Sequence, residues 1–193
     1  SHRHRSEKNT TPHIHLIILR DIMDTELLIE QILLGLRNST LWNKRNDIMI
    51  PNLSWGLLDY EADFVVLSKS GYLTEVEIKR SFADFKADFK KAHKHDDERV
   101  YYFYYCVPGK IYDKVTSLLQ SEKYEDFYTH IPGVLYYTEE GNIVRTGFGC
   151  PERRGKHRKL FLEEQLKIAR LGQLRYWSLL EKSYNKTFNT KEL

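Results

Sequence analysis

The chain has 193 residues, of which 41% are hydrophobic and 30% charged, and its net charge is +3. This length suits one domain with a single hydrophobic core, and the composition excludes a disordered or collagen-like protein. No apolar run approaches the roughly 20 residues of a membrane-spanning helix, so we expect a soluble protein. The two cysteines, Cys106 and Cys150, form neither a disulfide framework nor a zinc motif, which favours a cytoplasmic location.

The positive charge lies at the C-terminal end of the chain. Residues 1–149 hold 19 Lys and Arg against 22 Asp and Glu, whereas residues 150–193 hold 11 against 5. A basic end on a mildly acidic body is compatible with a polyanionic partner such as nucleic acid, and equally with a solvated charged helix.

The first half of the chain predicts a helix followed by three strands. Residues 1–22 are expected to be a tail or an expression remnant, and residues 23–193 a single domain. Asp24 or Thr25 is expected to cap a first helix that ends near residues 38–40. Residues 48–50 predict a short strand stopped by Pro51, and strands at about 60–67 and 72–79 form a hairpin around the turn at residues 68–71.

The second half predicts helices around a central strand. Ser81 is expected to cap a second helix, with Asp84 at capping-box spacing. Residues 100–107 are β-branched and aromatic, which predicts a central strand. A helix at 112–120, a hairpin of strands at 134–137 and 143–148, and a long helix at 160–182 follow; the last helix packs on the sheet or pairs with a second subunit in a homodimer. The fold class is therefore α/β, with a mixed central sheet flanked by helices.

The hairpin carries the residues that point to chemistry. Alternate residues of a strand share a face, so Glu75, Glu77 and Lys79 point the same way, and Asp63 lies on the neighbouring strand. If the two faces coincide, two carboxylates and an ammonium group meet at one end of the hairpin. Such oxygen ligands suit Mg²⁺ or Mn²⁺, and a lysine beside them can orient or deprotonate a water molecule. The alternative is a charged hairpin whose polar side faces water.

These residues resemble the PD-(D/E)xK nuclease superfamily, whose core is αβββαβ with an aspartate on one strand and a (D/E)-x-K triplet on the next. Asp63, Glu77 and Lys79 stand in those positions. Residues 62–67, 76–81 and 83–88, with the strand that ends at residues 107–108, look like the MmcB-like DNA repair branch. The chain departs from the pattern at Ala62, where the superfamily often has proline, and at residues 91–94, which lack an expected tryptophan.

The resemblance implies a restriction-endonuclease-like fold and a divalent-metal-dependent nuclease that hydrolyses phosphodiester bonds in DNA, in repair or processing. Single-stranded and branched DNA are candidate substrates. It also implies that Asp63, Glu77 and the backbone carbonyl of Ile78 hold Mg²⁺ or Mn²⁺, with Lys79 beside the attacking water. Glu30 on the first helix is a candidate accessory carboxylate, and it is equally well explained as a surface charge.

Basic residues in two segments are candidate contacts to nucleic acid, because phosphate contacts dominate the affinity of such complexes. The second helix contributes Lys86 and Lys90, and the loop before the last helix contributes Arg153, Arg154, Lys156, Arg158 and Lys159. His93 and His95 are two residues apart, which is the wrong spacing for one face of a helix, so no zinc site is expected there.

Two other functions stay open at this stage. The first is a catalytically inactive nucleic-acid-binding module on a nuclease-like fold. The second is a protein-interaction domain that binds no nucleic acid.

Overall fold

The computed structural model describes residues 27–54, 56–91, 93, 95–121 and 130–189, with side chains to residue 184. The predicted tail at 1–22 and the predicted cap at Asp24 or Thr25 lie outside the described residues. In chain order the elements are α1 (Ile29–Asn38), β1 (Ile48–Leu53), β2 (Ala62–Leu67), β3 (Leu73–Ile78), α2 (Phe82–Asp88), β4 (Val100–Pro108), a 3₁₀ turn (Gly109–Ile111), α3 (Tyr112–Leu119), β5 (Gly133–Tyr137), β6 (Ile143–Arg145) and α4 (Leu162–Asn189).

The described strands form one mixed sheet in the order β1-β2-β3-β4-β5-β6. β1, β2 and β3 run antiparallel, β3, β4 and β5 run parallel, and β6 returns antiparallel to β5. The α/β class, the αβββαβ element order, the flanking helices and the long last helix are thus confirmed. β3 and β4 lie in the middle of the sheet. β3 is buried along its whole length, so other elements cover the charges on it.

Local sequence signals explain where these elements begin and end. The Ser81 hydroxyl accepts a hydrogen bond from the Asp84 amide at 3.1 Å, which confirms the predicted cap of α2. The prediction that Pro51 stops the first strand is wrong, because β1 continues through Pro51 to Leu53. β1 is an edge strand, and proline is tolerated there because its missing amide proton can face the side of the strand that has no neighbour.

The sheet has a hydrophobic cluster on each face. The α1 face is the side on which Ile32 and Leu36 of α1 pack against Phe64, Val76 and other sheet residues. The α2 face is the opposite side, where the sheet is covered by Phe85 of α2, by Leu160 and by Ile168 of α4.

The last helix packs on the sheet, as one of the two sequence alternatives predicts. Ile168 of α4 is fully buried, and Gly172 lies so close to Ile50 of β1 that a side chain there would collide with it. α4 spans 28 residues. Neither α4 nor any other helix in the described part of the chain is long and apolar enough to cross a membrane.

Candidate metal centre

The β2–β3 hairpin brings two of the predicted carboxylates together. Phe64 pairs with Val76 and Val65 with Glu75. The next positions along this register are Asp63 and Glu77, and the charge of Glu77 acts on Asp63. The Ile78 amide donates a hydrogen bond to Asp63 Oδ2 at 2.8 Å. Asp63 is half-buried and Glu77 is buried, so the pair does not lie on an open charged surface.

Lys79 and Lys91 both bind the carboxylates of Glu77 and Asp88. Lys79 Nζ lies 2.7 Å from Glu77 Oε1 and 2.6 Å from Asp88 Oδ1. Lys91 Nζ lies 2.8 Å and 2.7 Å from the same oxygens. Burial of an ion costs several kcal/mol unless it is well paired, and here each ammonium group spans two carboxylates.

A histidine links this group to a third carboxylate. His95 Nδ1 lies 2.6 Å from Glu75 Oε1, and His95 Nε2 lies 2.9 Å from Asp88 Oδ2. The hydroxyl of Tyr60 donates to Glu75 at 2.6 Å, and that of Tyr105 donates to Asp88 at 2.7 Å. The polar side chains on the α2 face thus form one network, in which Asp88 has four partners: Lys79, Lys91, His95 and Tyr105.

The electrostatics of the network follow from these bonds. Burial alone would lower the pKa of His95, but hydrogen bonds to Asp88 and Glu75 raise it to about 9, so the ring carries both protons at neutral pH. Burial alone would raise the pKa of Asp88, but its bonds to His95, Lys79 and Lys91 hold that pKa far below its usual range.

Negative charge at the Asp63–Glu77 pair is only partly compensated. Burial and the charge of Glu77 raise the pKa of Asp63 to about 6, against the lowering effect of the Ile78 amide. Glu77 Oε2 is buried and has no hydrogen-bond partner among the described residues. Glu75, Glu77 and Asp88 each contact Lys79, Lys91 or His95 within 3 Å, whereas the partner of Asp63 is the uncharged Ile78 amide.

These features fit a divalent metal ion. A buried carboxylate oxygen without a partner and a neighbouring carboxylate of raised pKa are both relieved by a hard cation, and Mg²⁺ and Mn²⁺ prefer oxygen ligands. Asp63 and Glu77 are the side chains that would hold it. The Ile78 amide donates to Asp63 and so holds that carboxylate in place. The sequence predicted a role only for the Ile78 carbonyl, as a metal ligand.

A second set of residues also brings potential ligand atoms together. Atoms of Glu75, Glu77 and His95 all lie within 4.8 Å of one another. Both ring nitrogens of His95 already face carboxylates, however, and a metal ligand must be an unprotonated nitrogen. The Asp63–Glu77 pair therefore suits a metal ion better.

Glu30 is not brought to this network. It is exposed in the first turn of α1, and α1 packs on the opposite face of the sheet. Its surroundings match the surface-charge alternative considered for it.

Arg153 is buried, unlike the other predicted nucleic-acid contacts. Arg153 is only 9% exposed, its guanidinium donates to the backbone carbonyl of His95, and it lies 4.5 Å from the ring centre of Phe103. The side chain is therefore a packed part of the α2 face, and it holds the segment that carries His95.

The other basic residues of the loop differ in how far they are neutralised. Arg158 binds Glu98 at 3.0 Å and Glu164 at 2.8 Å, and Lys156 binds Asp96 at 2.6 Å. The acidic segment at residues 96–98 thus offsets much of the loop's charge. Among the seven predicted nucleic-acid contacts, four are exposed without such a strong pairing: Lys86, Lys90, Arg154 and Lys159.

Sequence reasoning missed Asp88, Lys91 and His95 as members of the site. One signal was available for Asp88, which stands three residues after the buried Phe85 and so shares the inner face of α2. No signal was available for His95. α2 ends at Asp88, and His95 adopts a positive φ of 50°, so a spacing rule for helices does not apply to it.

Comparisons with known proteins support the fold and go no further. No protein-family model and no curated protein matches the chain. One solved structure, described as the SPO1766 protein of unknown function from Silicibacter pomeroyi, is similar with a TM-score of 0.55 and 15% identity. The alignment covers 84% of this chain and 96% of that one. At this identity, the likeness extends to the fold alone.

Proposed function

We propose that the protein is a divalent-metal-dependent nuclease that hydrolyses phosphodiester bonds in DNA. The observation that carries this proposal is the Asp63–Glu77 pair, in which one buried oxygen has no described partner and the pKa of the neighbouring carboxyl is raised to about 6. Raised carboxyl pKa values and incompletely paired buried oxygens are concentrated at functional sites.

Each residue has a distinct part in this proposal. Asp63 and Glu77 would hold Mg²⁺ or Mn²⁺, and the ion would supply charge stabilisation for a phosphate and a lowered pKa for water. The Ile78 amide orients Asp63, and Lys79 orients Glu77 through its 2.7 Å contact. Lys79 is buried between two carboxylates, so a positioning role suits it better than the role beside the attacking water that the resemblance implies.

Exposed basic side chains supply the means to hold DNA. Lys86 and Lys90 lie on or directly after α2, the helix that also contributes Asp88 to the network. Arg154 has a side chain that is 76% exposed. Such residues bind phosphates without reading the base sequence.

The second candidate is a catalytically inactive nucleic-acid-binding module. One observation favours it: two lysines already neutralise Glu77 Oε1 and Asp88 Oδ1, so most of the buried charge is balanced without a metal ion.

Mn²⁺ titration and cleavage assays distinguish the two candidates. Calorimetry on the full chain measures Mn²⁺ affinity, and labelled single-stranded, duplex and branched DNA report cleavage. For the nuclease we expect Asp63→Asn and Glu77→Gln each to abolish Mn²⁺ binding and cleavage, while Glu139→Gln, at an exposed carboxylate of the β5–β6 turn, behaves like wild type. Salt-dependent DNA binding with no Mn²⁺ binding and no cleavage would establish the inactive module instead.

A further inference from the structure

Lys79 and Lys91 bind the same two oxygens from different positions. Both ammonium groups lie within 2.8 Å of Glu77 Oε1 and Asp88 Oδ1. Their exposure differs sharply, since the side chain of Lys79 is 4% exposed and that of Lys91 is 39% exposed. One lysine is therefore enclosed by the protein, and the other connects the carboxylates to solvent.

Both lysines are bound at the backbone, so enclosure of the side chain is what separates them. Lys79 directly follows the central strand β3, and its amide donates to the Cys106 carbonyl of β4 at 2.9 Å. Lys91 follows the end of α2, and its amide donates to the Asp88 carbonyl at 3.0 Å. The side chain of Lys79 is enclosed, whereas the partly exposed side chain of Lys91 has a path into water.

Loss of the Lys91 contacts leaves both carboxylates bound. Lys79 still holds Glu77 Oε1 and Asp88 Oδ1, and His95 and Tyr105 still bind the other oxygen of Asp88. Glu77 and Asp88 therefore each keep a contact to a cation when Lys91 withdraws, so neither becomes the unpaired buried charge that makes a broken pair costly.

A divalent cation and Lys91 compete for the same negative charge. Glu77 contributes Oε1 to Lys91, and its second oxygen, Oε2, is the buried atom without a described partner. A cation on that carboxylate repels an ammonium group a few ångströms away, and this repulsion is stronger inside a protein than in bulk water.

We propose that Lys91 is an internal, exchangeable counter-ion of the metal centre and sets its affinity for the metal. Lys91 rests on Glu77 and Asp88 in the metal-free protein and moves into solvent when Glu77 takes a divalent cation. The inference rests on the proposed metal site and adds the residue that regulates its occupancy.

The test is Mn²⁺ affinity by calorimetry for wild type, Lys91→Met, Lys91→Arg and Lys69→Met. We expect Lys91→Met to bind Mn²⁺ about tenfold more tightly, because a competing charge is removed. Lys91→Arg keeps the charge and should stay close to wild type, as should Lys69→Met at an exposed position of the β2–β3 turn. Thermal unfolding with and without Mn²⁺ gives a second readout, since tighter binding produces a larger stabilisation by the same metal concentration.

The outcomes separate this inference from the proposed function. If wild type binds Mn²⁺ and Lys91→Met binds it equally or more weakly, the counter-ion role is wrong and the metal site stands. If neither protein binds Mn²⁺, the metal site itself is wrong, and the inference falls with it. Should Lys91→Met fail to fold, Lys91→Gln takes its place; if that variant also fails to fold, Lys91 is structurally required rather than exchangeable, and the inference is overturned.

Discussion

The two faces of β3 are equally buried but are stabilised in different ways. Val76 and Ile78 face α1 and contact apolar side chains, whereas Glu75 and Glu77 face α2 and contact charged ones. All four side chains are at most 5% exposed. Apolar burial needs only close packing, but each buried charge needs a partner placed within about 3 Å. The α2 face is therefore the side on which a single substitution leaves an unpaired group behind.

Asp88→Asn should have the largest effect, because it removes a carboxylate that compensates Lys79, Lys91 and His95 together. We expect a loss of about 4 kcal/mol in the free energy of unfolding, measured in urea near pH 7. The exposed Glu139→Gln is the matched control. A loss below about 1 kcal/mol would show that the network does not stabilise the α2 face.

Leu36→Ala tests the apolar face with the same measurement. Leu36 is fully buried against the sheet, so we expect a loss of about 3 kcal/mol. This loss should be the same at pH 6 and pH 9, because no titrating group is removed. Leu34→Ala, at a position of the same helix that is 57% exposed, should cost much less. A strongly pH-dependent loss for Leu36→Ala would contradict the separation of the two faces.

His95 should make the stability of the α2 face depend on pH. Its pKa is about 9 in the folded protein and about 6.5 when unfolded. The stabilisation is thus complete below pH 6.5 and is lost as the pH rises through 9, by an amount of about 3 kcal/mol. Urea unfolding between pH 6 and pH 9.5 should show this decline in wild type and a flatter profile in His95→Gln. Parallel profiles for the two proteins would rule out a charged His95.

Asp63→Asn should have the smallest effect on stability and the opposite sign. A carboxyl whose pKa is raised to about 6 binds its proton more tightly in the folded state, so stability falls as the pH rises from about 4 to 6. Asparagine removes this penalty while its oxygen can still accept the Ile78 amide. We expect a gain of about 1 kcal/mol at pH 8 and none at pH 4. Destabilisation at pH 8 would mean that the carboxylate is needed for the fold itself.

The sequence predicted the parts of the site that one hairpin carries. Asp63 and Glu77 belong to adjacent strands joined by a short turn, and the alternation along a strand then determines which side chains share a face. Ser81 and Asp84 marked the start of α2 through a local hydrogen bond. These features depend on neighbours within a few residues or on one strand pairing.

The remaining contacts join segments that are distant in the sequence. His95 lies 20 residues from Glu75, and Arg153 lies 58 residues from the carbonyl that it binds. A charged residue in a polar segment has the same pattern whether it faces water or packs into the protein. The burial of Arg153 could be found only once residues 151–153 were seen to run beside the start of β4.

The pairing of two lysines with the same two carboxylate oxygens also has an evolutionary consequence. Because Lys79 and Lys91 duplicate each other's contacts, a descendant of this chain can exchange one of them and still keep a cation on Glu77 and Asp88. If the lysine of β3 were the one exchanged, the E-x-K triplet would disappear from the sequence while the arrangement of charges in space persisted. Relatives that preserve this chemistry are therefore best sought by the position of the charge in the fold, since the order of letters along β3 is free to change.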